Sequence, residues 1–215
     1  MMMTNNRRTT LAAAALAAAL CSAGCAPLLV GGAAAGGAMI AADRRSTGTQ
    51  LEDQAIELRV GKALSDAFPG DRAHITVTSY NLRVLLTGEA RTEQDKAEAQ
   101  AIAQKAENVR AVVNELYIGS PSTFANRNFD TALTAKVLAA MLQAGDVPSG
   151  AVKVVSERAV VYLMGRVTAA EGEAAARVAS RVSGVQRVVK VFDYLTDKEA
   201  AALAGKPPEQ ATPAK

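Results

Sequence analysis

Apolar positions recur in the same order twice along this chain. Ile56, Val60 and Leu64 fall one helical turn apart, and Leu133, Val137 and Met141 repeat the stripe at an offset of 77 residues. Two short β-branched and aliphatic runs follow each stripe, over 73–80 and 83–89 and again over 151–156 and 159–166. They predict hairpins with tight connections at Asn81-Leu82 and Glu157-Arg158. Each hairpin closes on a glycine, Gly88 or Gly165, and a capping signature comes next, Thr92 to Asp95 or Thr168 to Glu171. Ala-rich helices are expected over 93–107 and 169–183, ending at Asn108-Val109 and Gly184-Val185, with last strands over 111–118 and 187–194. Thr49 and Glu52 form a capping box ahead of the first helix.

An internal repeat decides the architecture before any single residue does. The order helix, strand, strand, helix, strand predicts an α+β fold made of two tandem αββαβ sandwiches, each with one face of a three-stranded sheet under two helices. Units this small bury little surface alone, so the two copies should touch. The expected division is a first unit over 50–118, a linker over 119–128, a second unit over 129–195 and a disordered tail over 196–215.

Residues 1–24 have a different character. Arg7 and Arg8 precede an Ala/Leu run from Leu11 to Leu20 that is too short to span a bilayer, the layout of a secretory signal. Ser22-Ala-Gly-Cys25 resembles the lipobox of bacterial lipoproteins, with Ser22 where Leu is usual. That resemblance implies acylation of Cys25 and, with Ala26 rather than Asp after it, retention at the inner leaflet of the outer membrane, facing the periplasm. The alternative is an ordinary signal cut near Ala23, leaving a free thiol. Residues 25–49 then read as the acylated cysteine and a flexible tether, because the Gly- and Ala-rich stretch after Cys25 is too short to cross a membrane. Charge changes the picture little. Of 24 basic residues, 22 remain without Arg7 and Arg8, against 21 acids, which argues against a nucleic-acid partner and against long-range steering.

The repeated Val84-x-Leu86-x-Gly88 and Val161-x-Leu163-x-Gly165, with the joint Ala179-Ser-Arg-Val-Ser-Gly-Val185 leading to Val188, resemble the BON domain of bacterial envelope proteins. Two such domains behind a lipobox resemble dual-BON outer-membrane lipoproteins. That likeness implies a role in envelope integrity and binding of anionic phospholipid through the first helix of the second domain.

Catalytic chemistry finds no foothold. The sole histidine, His74, has no Cys or acidic cluster at metal or triad spacing and reads as a solvated turn residue, and the acids are scattered along helix faces. No catalytic residue, metal or cofactor is expected. The copies differ where Leu138 and Leu142 stand opposite Gly61 and Ser65, on a face that the second core stripe does not need. Phe124 and Phe129 precede this helix. Phe129, Leu138 and Leu142 with Arg127 and Lys136 are therefore the candidate contact for an anionic membrane surface, or, for Leu138 and Leu142, for the first domain. An adaptor for envelope proteins, using an exposed sheet edge of the 152–166 hairpin, is the other class of function.

Overall fold

The computed structural model describes residues 43–70 and 72–204. The leader, Cys25 and the tether up to residue 42 lie outside the described residues, as does the tail beyond 204. The first repeat runs α1 (Thr47–Ala67), β1 (Ala73–Tyr80), β2 (Arg83–Ala90), α2 (Glu93–Lys105), β3 (Ala111–Asn114) and β4 (Tyr117–Ile118). The second runs α3 (Phe124–Ala144), β5 (Val152–Glu157), β6 (Val160–Val167), α4 (Ala169–Ser180) and β7 (Arg187–Tyr194), and α5 (Asp197–Ala204) follows it. In each sheet the hairpin is antiparallel and the strand after the second helix returns parallel to the central one, β2 or β6.

Strand alternation sorts the side chains into three cores. Val84, Leu86 and Ala90 face α1 and α2 with Ile56, Val60 and Leu64, while Val161, Leu163 and Val167 face α3 and α4 with Leu133, Val137 and Met141. The intervening positions face the other way. Tyr80 and Leu85 from the first sheet meet Tyr162, Met164 and Val191 from the second in a third cluster, so the sheets pack back to back with the helices outside.

The glycine ending each core motif is required by close approach. A Cβ on Gly88 would lie 2.1 Å from the His74 carbonyl oxygen, and one on Gly165 would lie 2.4 Å from that of Ala151. Gly88 also takes φ +107°, and the adjoining strand is interrupted there, leaving Glu115 and Leu116 between β3 and β4. The expected single strand over 111–118 is thus two pieces, whereas β6 and β7 pair without a break.

Other boundaries shift for local reasons. Ser46 rather than Thr49 caps α1, its side chain accepting from the Thr49 backbone N–H. The helices expected to reach 107 and 183 end at Lys105 and Ser180, and the left-handed residues Asn108 and Gly184 lie in the turns beyond. α3 begins at Phe124 under a Thr123 cap, so the expected linker over 119–128 shortens and Phe124, Arg127 and Phe129 are helical. The start of the expected disordered tail is α5, closed by a capping box in which Glu199 accepts from the Thr196 N–H at 2.8 Å and Thr196 Oγ1 accepts from the Glu199 N–H at 3.3 Å. The end of the expected tether is also structured. Arg44 makes a paired contact with Glu171 at 2.7 Å through both guanidinium nitrogens, tying the chain before α1 to α4.

Candidate functional site

One buried carboxylate in each repeat fixes the leading helix to the hairpin beside it. Both hairpin turns use two residues with positive φ, Asn81 and Leu82 or Arg158 and Ala159, the backbone of a type I′ connection. Asp53 on α1 accepts from the Asn81 and Leu82 N–H groups at 2.8 Å each, and Asp130 on α3 accepts from those of Arg158 and Ala159 at 2.9 Å each. These two acids stand at the same offset of 77 as the apolar stripes, a signal present in the sequence but outside the hydrophobic pattern. They set which face α1 and α3 turn outward.

On α3 that face is apolar and without acids. Phe124 is 71% exposed and Leu142 56% exposed. Eighteen residues, or five turns at about 100° per residue, separate them, so they point the same way about 27 Å apart. Lys136 is exposed on the same flank as Phe129, which is itself 46% exposed. The sole acid of the helix, Asp130, is buried. α1 occupies the equivalent place in the first repeat and also exposes leucines, Leu51 and Leu58, yet it carries Glu52, Asp53, Glu57 and Asp66.

The expected site residues do not all join this surface. Leu138 is partly buried and packs against the core of its own repeat, where the sequence reading placed it on a face that core does not need. Arg127 is half-buried and donates to the Ser122 carbonyl at 2.6 Å, so its charge serves the entry to α3. The ring edge of Phe129 leans over Gly184, where a Cβ would sit 3.1 Å from it. Phe124, Lys136 and Leu142 face outward, with Phe129 at the margin. Among the described residues no helix is long and apolar enough to cross a membrane.

The repeats are clamped at both ends of the sheet sandwich. At one end Asp193 accepts from Asn81 and Arg83 at 2.7 Å each and from Arg110, and these donors hold its carboxyl below the usual range although burial opposes ionisation. Here too Arg45 lies over the Tyr80 ring at 4.0 Å and pairs with Asp43 and Asp53. At the other end fully buried Glu89 receives Arg158 at 3.1 Å, and the guanidinium covers the Tyr117 ring at 4.1 Å. His74 belongs to this end. It lies within β1, half-buried, with Nδ1 3.4 Å from Glu89 Oε2, and is therefore not the expected solvated turn residue. Beside it a cleft of about 640 Å³ opens between the repeats, lined by Tyr117, Phe129, Asp130, Glu157, Arg158 and Arg187 among others. Among the described residues no group of three His, Cys, Asp or Glu side chains is placed to hold a metal ion.

Comparison with known proteins adds the family context. The BON domain profile matches residues 52–120 and 129–196. The chain is 41% identical over 157 residues to outer membrane lipoprotein DolP of Haemophilus influenzae, covering 73% of this chain and 81% of that protein. It is 37% identical over 154 residues to the 21 kDa hemolysin of Actinobacillus pleuropneumoniae, covering 71% and 79% of the two chains. It is also 30% identical over 155 residues to the osmotically-inducible protein Y of Escherichia coli, covering 69% and 76%.

Proposed function

This chain belongs to the BON-domain family, with two copies of the domain, and from that premise we propose that it is a non-enzymatic lipoprotein of the outer membrane, facing the periplasm. In this reading it is anchored through acylated Cys25, binds anionic phospholipid through the outer face of α3 in its second domain, and supports envelope integrity. The likeness to an outer membrane lipoprotein over most of both chains supports the location. The observation that carries the lipid reading is the contrast between the two leading helices. α3 presents Phe124 and Leu142, with Lys136 about 120° round the helix and no exposed acid within it, whereas α1 offers its leucines beside Glu52, Glu57 and Asp66. Apolar side chains entering the headgroup boundary from a helix that carries a cation and no exposed carboxylate of its own are suited to interfacial binding at an anionic surface.

The test uses the chain from residue 26 onward, which has neither cysteine, with Leu142→Cys labelled by an environment-sensitive dye. Phosphatidylglycerol vesicles should shift its emission to the blue, and phosphatidylcholine vesicles should do so far less. Equal responses to the two would remove the anionic preference, and no response to either would remove the site.

A further inference from the structure

The two ends of the inter-repeat contact are chemically unlike, and the difference lies in where a proton can go. At the first end the acid is Asp193, which has three donors from the opposite repeat. At the second end, acids outnumber the donors free to meet them. Glu89 is completely buried, with Oε1 on Arg158 and Oε2 facing His74 Nδ1 without a hydrogen bond. Glu157, at the end of β5, has a buried Oε1 with no hydrogen-bond partner among the described residues.

We propose that this end is a proton-dependent latch between the repeats, closed when Glu157 is a neutral acid and loosened when it becomes a carboxylate. Arg158 and Arg127 attract the anion, but burial and two neighbouring carboxylates outweigh them. Glu89 approaches from β2 and Asp130 from α3, both carboxylates. Arg158 is already shared between Glu89 and the Tyr117 ring, and Arg127 is engaged with the Ser122 carbonyl. Across the cleft Arg187 pairs with Glu115 at 3.1 Å, and on β1 His74 faces Glu89. Glu157 lines the cleft between the repeats, so its carboxyl can exchange protons without unfolding. Burial, then the nearby carboxylates of Glu89 and Asp130, push the Glu157 carboxyl up to about 7, so the change of charge falls near neutrality. A Glu157 carboxylate is then repelled by Glu89 across the interface, while the Asp193 end keeps its ion pairs. The result is a hinge that opens at one end.

Each end carries a reporter, because Arg158 lies over Tyr117 and Arg45 over Tyr80. Ring currents displace the side-chain proton resonances of an arginine stacked in this way. In the isotopically labelled full chain in detergent micelles, raising the pH from about 5.5 to about 8.5 should reduce the Arg158 displacement by about half or more, in step with titration of the Glu157 carboxyl carbon. The Arg45 displacement should stay constant, and in Glu157→Gln both should stay constant. An Arg158 signal that does not move, that moves together with Arg45, or that moves equally in the Gln variant overturns the latch. If the variant does not fold, the comparison of Arg158 with Arg45 in the unmodified chain decides by itself.

Discussion

At the residue scale, the side chains that matter most to the fold are the turn-binding carboxylates. Asp130 is buried and accepts two backbone N–H groups, so Asp130→Ala should cost about 2–4 kcal/mol in denaturant unfolding by stranding both donors. Asp53→Ala should cost at least as much, because Asp53 also holds Ser79 and Arg45. Two other acids set opposite pH dependences. Glu157 is raised above its ordinary value, so the folded protein keeps a proton there that the unfolded chain releases. The stability this provides is complete below about 4.5 and declines as the pH rises to about 7, on the order of 2 kcal/mol after discounting for partial exposure. Asp193 is lowered, so its contribution is present above the ordinary carboxylate value and disappears as the pH falls through its folded value. Thermal melts from pH about 4 to about 8 should show the first trend flatten in Glu157→Gln. The glycines of the repeated motif read as hairpin ends, yet Gly88 and Gly165 lie two residues inside β2 and β6, where close approach of the neighbouring backbone requires them. The pairs Arg158–Glu89 and Arg44–Glu171 were not, because partners 69 and 127 residues apart leave no local pattern.

At the scale of elements, periodicity located every helix that has an apolar stripe. It missed α5, whose Asp-Lys-Glu-Ala-Ala-Ala-Leu-Ala composition has strong helix propensity but too few large apolar residues to mark a face. It also placed the start of α3 too late, since Phe124 to Asn128 precede the stripe and only the Thr123 cap marks the boundary. Leu138 and Leu142 were legible as a difference between repeats, but not as two different environments. The structure separates them into a core-packed residue and an exposed one. Leu138→Asp should therefore cost about 2–3 kcal/mol, whereas Leu142→Asp should stay within about 0.5 kcal/mol of the unmodified chain in the same unfolding assay.

For the whole molecule, the sequence predicted that the two copies touch, because units this small bury little surface alone. Val84-Leu85-Leu86 and the run from Val160 to Met164 have no polar positions, as expected of strands covered on both faces. The packing of the two sheets back to back through these positions came from the structure, since nothing in the sequence pairs Leu85 with Met164. Because Leu85 and Met164 belong to a core shared by both repeats, Leu85→Ala or Met164→Ala should cost about 2–4 kcal/mol and lower one common transition. Two separate calorimetric transitions, only one of them shifted, would contradict a shared core.

The proposed function requires the outward helix of repeat two, and not that of repeat one, to meet anionic lipid. Flotation of the chain from residue 26 onward with phosphatidylglycerol vesicles tests this most directly, comparing the unmodified chain with Phe124→Asp plus Leu142→Asp and with Leu51→Asp plus Leu58→Asp. The account predicts that the α3 pair lowers the bound fraction about tenfold or more at unchanged thermal stability, and that the α1 pair leaves it as it was. Equal binding by all three chains, or loss of binding confined to the α1 pair, would contradict it.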